Sequence, residues 1–91
     1  MTLNRYAARR DANEPALKTA AEKLGWWLTA IDEPVDFIGM FRSSGIFKMI
    51  EIKTPKGQFR PNQKAFMSEA AIRGCPVLVW RTIEDVIGDS P

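Results

Sequence analysis

The chain has 91 residues, 45% hydrophobic and 26% charged, which suits one folded domain with a single modest core. It has no histidine and one cysteine, Cys75, which excludes a structural zinc site, a His-dependent catalytic triad and an internal disulfide. The net charge of +2 is too small to argue for nucleic acid by itself, and no apolar run approaches the length of a membrane span.

The first ten residues are polar and basic, with Arg5, Arg9 and Arg10 and no apolar centre, so no signal peptide is expected there. Helix and irregular structure suit them equally. Leu17, Ala20, Ala21 and Leu24 then recur at i, i+3, i+4 and i+7, which predicts an amphipathic helix closed by Gly25. Its start has two readings. Asp11-x-x-Glu14 has the form of a capping box, while Pro15 favours the first helical position and disfavours helix at Glu14. Either way Glu14 sits in or just before the first turn.

Trp26 to Ile31 reads as a strand from its aromatic and β-branched content. Asp32-Glu33-Pro34 is a turn or loop. Val35 to Phe41 is a second strand containing Gly39, and Arg42-Ser43-Ser44-Gly45 is a short hairpin connection. Ile46 to Lys53 is the third strand, in the most apolar run of the chain. Thr54 to Arg60 is a loop with Pro55 and Gly57. Pro61 opens a second helix reaching about Arg73, closed by Gly74 and Pro76. Val77 to Arg81 is a fourth strand, and Thr82 with Asp85 caps a last short helix. The order is helix, three strands, helix, strand, short helix. The three early strands suit an antiparallel meander, and the long connection through the second helix suits a parallel fourth strand.

The third strand ends on Ile50-Glu51-Ile52-Lys53. Residues two apart on a strand share a face, so Glu51 and Lys53 lie about 7 Å apart along it. The ordinary reading of this pair is an ion pair. With Ser43-Ser44 at the turn centre, Phe41 pairs with Ile46, Ile38 with Met49 and Asp36 with Glu51. Directly opposed like charges are destabilising, and Asp is unfavourable in a strand. Protonation of one carboxylate, solvation of both, or a cation between them would each relieve the conflict, and oxygen donors of this kind suit Mg²⁺ or Mn²⁺. A bulge at Gly39 would shift this register. The register also makes both faces of the hairpin apolar, which predicts cover on both sides of the sheet. On the second helix, Gln63, Phe66, Met67 and Ala70 form one stripe. Gln63 at its start is placed either to bond the charged residues or to cap the helix.

Taken in order, Asp36, Glu51-Ile52-Lys53 and Gln63 on a following helix resemble the PD-(D/E)xK nuclease pattern. More narrowly, the chain is similar to the virus-type replication-repair nuclease (VRR-Nuc) domain. The likeness spans nearly the whole chain, from Glu14 on the first helix through Pro61-Asn62-Gln63-Lys64 to the closing Gly74-to-Arg81 segment. A lone E-x-K is a weak signal; the ordered set at these spacings is far more specific. Two positions depart from the pattern: Val35 stands where a Pro usually precedes the Asp, and Arg60 where a Ser or Thr often caps the second helix.

The resemblance implies a single α/β domain over 1–91, with a restriction-endonuclease-like core and a mixed four-stranded sheet flanked by helices. It implies metal-dependent hydrolysis of DNA phosphodiester bonds, with branched DNA such as four-way (Holliday) junctions as substrate. Asp36 and Glu51 would hold Mg²⁺ or Mn²⁺, helped by the backbone carbonyl of Ile52. Lys53 would position or activate the attacking water, or stabilise charge on the phosphate. Gln63 would orient Lys53 or a metal-bound water, and Glu14 would bind a metal water or a second ion. Arg9, Arg10, Lys56, Arg60 and Lys64 would hold the flanking DNA backbone, although any one surface charge is more often simply solvated. Size and family together imply a homodimer, with Trp26, Trp27, Trp80 and Phe59 as candidates for its apolar patch against ordinary core burial. No membrane association is expected. The single cysteine fits a reducing compartment, and the expected setting is the cytoplasm of a bacterial or phage-infected cell. The alternative is a non-catalytic nucleic-acid-binding module on the same fold, which the intact Asp, Glu and Lys set disfavours. A purely structural protein is disfavoured by the opposition of Asp36 and Glu51.

Overall fold

The computed structural model describes residues 12–91. Arg9 and Arg10, and Asp11 of the candidate capping box, lie outside the described residues. The elements are α1 (Glu14–Leu24), β1 (Trp26–Ala30), β2 (Phe37–Phe41), β3 (Phe47–Ile52), α2 (Pro61–Ile72), β4 (Leu78–Trp80) and α3 (Ile83–Asp89). They form a sheet ordered β1-β2-β3-β4. The first three strands run antiparallel, and β4 lies parallel to β3 after the crossover through α2. This is the mixed, helix-flanked α/β sheet that the element order predicts.

Alternation along the strands sorts the side chains. Phe37, Phe41, Ile50 and Ile52 point to one face, where they meet Trp26, Trp80, Leu17 and Ala21 of α1 and Val86 of α3. Fully burying an aromatic or branched side chain of this size contributes about 1.5–3 kcal/mol. Trp26 meets Phe41 and Trp80 edge-on, with ring centroids 5.4 and 5.7 Å apart, a geometry that the ring quadrupoles favour. Both indole N–H groups are paired: Trp26 donates to Ser90 Oγ at 2.9 Å and Trp80 to Asp89 Oδ2 at 3.1 Å. Trp26 and Trp80 are wholly buried, so neither serves a dimer patch; they are core. Trp27, one residue on and therefore on the opposite face, is 54% exposed.

The second face is covered by α2. Gln63 and Ala70 are buried and Phe66 and Met67 half-buried, as their spacing predicts. This cover is incomplete. Trp27, Met40 and Phe47 align as one row across β1, β2 and β3, and Phe47 is 59% exposed.

Helix ends follow the expected chemistry with one exception. Thr82 and Asp85 form a reciprocal capping box on α3. Gly25 closes α1 at φ 120°, a conformation L side chains rarely adopt. At the start of α1, however, the N-cap is Asn13, and its side chain makes no capping bond.

Gly39 does not bulge the hairpin. It pairs regularly with Leu28 on one side and Lys48 on the other. A Cβ added there would meet Ile50 Cδ1 and Leu28 Cδ2 at 2.8 Å and Trp26 Cε3 at 3.2 Å. The missing side chain is space that the core has filled. Gly39→Ala is therefore expected to lose about 1–3 kcal/mol of stability through overpacking, measured by urea denaturation followed by tryptophan fluorescence.

Candidate metal and nuclease site

The β2–β3 ladder pairs Ile38 with Met49 and Phe37 with Ile50, the register counted from the hairpin turn. One step further, Asp36 stands opposite Glu51. The regular strand stops at Phe37, two residues later than its apolar run predicts, because here side chains replace the backbone ladder. Asp36 N–H donates to Glu51 Oε1 at 3.0 Å, and Ile52 N–H donates to Asp36 Oδ2 at 2.8 Å. Each carboxylate thus takes an amide from the other's strand. Charge-assisted bonds of this kind are stronger than neutral ones, which offsets part of the repulsion.

Gln63 joins the same pair. Its Nε2 donates to Glu51 Oε2 at 3.0 Å, and its Oε1 accepts from Arg60 N–H at 3.1 Å. Only one orientation of the amide satisfies both partners. The two roles weighed for Gln63 are therefore one arrangement: it caps α2 and bonds the site carboxylate together. This explains how Arg60 can stand at the N-cap without an acceptor of its own.

Lys53 Nζ lies 3.9 Å from Glu51 Oε2, and its side chain is 15% exposed. That is contact between opposite charges but too long for a hydrogen bond. Glu51 itself is only 4% exposed. Burial first, and the Asp36 charge second, push its carboxyl up to about 7, against the lowering effects of the Asp36 amide, Lys53 and Gln63. At Glu51, burial and the neighbouring carboxylate outweigh the donors and the cation.

That imbalance tests the fit of a metal. The donors are hard oxygens from two carboxylates side by side, a set that suits a small divalent cation. Among the described residues, no group of three or more His, Cys, Asp or Glu side chains is placed to hold an ion together. Glu14 therefore does not complete a three-carboxylate set with Asp36 and Glu51. It occupies the first residue of α1, immediately after Asn13, whose Nδ2 donates to the carbonyls of Lys53 and Arg81, each at 3.0 Å. The start of α1 is thereby tied to the C-terminal ends of β3 and β4. Lys56, Arg60 and Lys64 are exposed on the loop and first turn beside the site, and Arg60 lies 4.0 Å from Glu33.

Three residues here make contacts that no sequence signal assigns them, although Phe59 is a candidate for the dimer patch. Asn13 is one; its position just ahead of Pro15 suits an N-cap, which hides its use as a tie between two strands. Arg81 and Phe59 are the others. Arg81 Nη1 donates to the carbonyls of Thr54 and Gly57 at 2.7 and 2.8 Å, and Phe59 lies under both Lys53 and Arg81. Nothing in local spacing announces these contacts.

The family model of the VRR-NUC domain matches residues 26–82, a span that contains Asp36, Glu51, Lys53 and Gln63. Neither a curated protein nor a solved structure matches the chain.

The raised Glu51 pKa has a consequence for stability. The unfolded chain releases this proton near 4.5, the folded chain near 7. Between those values the folded state binds more protons, so stability falls as pH rises through the window. Removing the neighbouring charge relieves this. In chelator, the stability of Asp36→Asn relative to the parent is expected to rise between pH 5 and pH 8, by about 1 kcal/mol. Thermal denaturation at the two pH values measures it. An identical pH dependence in the two proteins would show that the Asp36 charge does not act on Glu51.

Proposed function

Because the chain belongs to the VRR-NUC domain family, whose fold and chemistry are those of PD-(D/E)xK nucleases, we propose that it is a divalent-metal-dependent DNA endonuclease acting on branched DNA, four-way junctions in particular. The observation that carries the reading is the opposed Asp36–Glu51 pair with Lys53 alongside. Two carboxylates meet at a strand end, each bonded to the other's strand, with the Lys53 ammonium 3.9 Å from Glu51.

Asp36 and Glu51 would hold Mg²⁺ or Mn²⁺, with the Ile52 carbonyl as a further oxygen. When bound, the ion supplies Lewis acidity toward the phosphate and acidifies a water molecule. The chain's own groups do the rest. Gln63 holds Glu51 Oε2 from one side, which fixes the carboxylate plane before any ion arrives. The Lys53 ammonium stands beside that oxygen, where it stabilises charge developing on the phosphate in a site already arranged for it. Glu14, at the start of α1, acts through water rather than in a direct three-carboxylate set. Lys56, Arg60 and Lys64, with Arg9 and Arg10, hold flanking phosphates and make binding salt-dependent and largely independent of sequence.

A second copy completes the enzyme in this reading. The row Trp27, Met40 and Phe47 lies on the same sheet face as Glu51, with Trp27 and Phe47 exposed and Met40 half-buried between them. A symmetric dimer through this row presents two sites to two opposed strands of a junction. Trp27→Asp is expected to turn a dimer into a monomer in light scattering, with the fold retained in circular dichroism.

The nuclease reading is tested with four-way-junction, flap and linear DNA in Mg²⁺, Mn²⁺ and chelator. Cutting is expected with metal only, and Lys53→Ala should lower its rate about 100-fold or more with junction binding retained. Junction binding without metal-dependent cutting would identify a non-catalytic module instead.

A further inference from the structure

Lys53 needs more than Glu51 to hold its ammonium in place. At 3.9 Å the Glu51 contact is loose, and a lysine side chain has four flexible bonds to restrain. The second restraint in reach is aromatic. Lys53 Nζ lies 5.4 Å from the centroid of the Phe59 ring, and Arg81 Cζ lies 5.4 Å from the same centroid. Both distances fall within the range of a cation–π attraction. Phe59 belongs to the loop between β3 and α2, which by itself has little to keep it rigid.

Arg81 supplies the rigidity. Its Nη1 donates to Thr54 O at 2.7 Å and Gly57 O at 2.8 Å, with Pro55 O at 3.4 Å. The turn it gathers is tight: Gly57 N–H donates to Thr54 O at 3.0 Å, and a Cβ on Gly57 would meet Thr54 Oγ1 at 3.0 Å. Arg81 is anchored in turn at both backbone groups. Its N–H donates to Asp85 Oδ2 at 2.8 Å, and its carbonyl accepts from Asn13 Nδ2 at 3.0 Å. The same Asn13 amide holds the Lys53 carbonyl at 3.0 Å, and Lys53 N–H donates to Trp80 O at 3.0 Å. Lys53 and Arg81 therefore leave neighbouring strand ends in a fixed relation. One guanidinium then sets the loop that carries the ring against the lysine. A planar, permanently charged fork suits this; a lysine at 81 would be a point charge on a flexible stem.

We infer that Arg81 and Phe59 are positioning residues for Lys53: Arg81 pins the Thr54–Gly57 turn so that the Phe59 ring holds the Lys53 ammonium beside Glu51. The effect on turnover rests on the nuclease reading above, while the effect on Lys53 itself does not. The two are measured separately. In metal-free protein, the Lys53 ε-methylene protons are expected upfield of their ordinary position, shifted by the Phe59 ring current. Arg81→Lys and Phe59→Leu should each abolish the shift, and Phe59→Tyr should keep it. With junction DNA and Mg²⁺, Phe59→Leu should lower kcat about tenfold, with KM and melting temperature close to the parent's, and Phe59→Tyr should restore kcat. An unshifted signal in the parent, or a shift that survives Arg81→Lys, would overturn the inference. So would unchanged turnover in Phe59→Leu, or equal losses in the leucine and tyrosine variants. A parent that shows the shift but cuts no DNA supports the clamp and overturns the nuclease reading instead.

Discussion

Two carboxylates stand opposite each other where the β2–β3 ladder ends, and the structure around them is arranged to tolerate that opposition. Asp36 and Glu51 exchange amide hydrogen bonds with each other's strands, so the repulsive pair becomes the continuation of the ladder rather than its failure. Gln63 then links Glu51 to the first turn of α2. The site charge and the placement of a helix are in this way one interaction. Lys53, two residues beyond Glu51, passes the connection on to β4 through Trp80.

This arrangement costs stability. Glu51 is buried among donors that do not fully compensate it, and its pKa near 7 records the imbalance. Buried ionisable groups with shifted pKa values concentrate at functional sites because the chemistry needs them there. The hydrophobic side of the sheet shows no such compromise. Trp26, Trp80, Phe37 and Ile50 are sealed in, both indole N–H groups are bonded, and Gly39 leaves room for its neighbours' methyl groups and ring. One face of the sheet carries the stability, and the other carries the charge. The match to the VRR-NUC domain family over residues 26–82 runs from β1 to the cap of α3 and so takes in both faces.

The ends of four elements converge on the end of β3. Asn13 before α1 bonds the carbonyls of both Lys53 and Arg81. Arg81 after β4 bonds the loop before α2. These contacts are side chain to backbone, which fixes where strands and loops stand without using the site's own carboxylates. In the nuclease reading proposed above, a lysine held on such a frame is preorganised to stabilise charge on a phosphate.

Much of this was legible in the amino-acid order, and the part that was not has a common cause. The seven elements, the antiparallel hairpin, the parallel return of β4 and the pairing of Asp36 with Glu51 all follow from periodicity, turn residues and a count across one short connection. Such signals act between near neighbours in the chain, so they survive without knowledge of the whole. Both uses of Gln63 were visible as alternatives, and that they hold together depends on its long-range bond to Glu51 as well as its local bond to Arg60. Asn13 and Arg81 were silent, and Phe59 stood only as a candidate for a dimer patch or the core. Asn13 meets partners 40 and 68 residues away, and Arg81 reaches back 24 to 27 residues to its loop. The division of the tryptophans, with Trp26 and Trp80 inside and Trp27 out, likewise needed both sheet faces to be assigned. The sequence by itself determined which strands form and, for an unbulged hairpin, which charges face each other, because a strand's alternation and a hairpin's length then leave one register; the regular pairing of Gly39 was settled by the tertiary structure. Only the tertiary structure decided what steadies Lys53 beside them, because those partners are brought together by packing between elements and not by spacing along the chain.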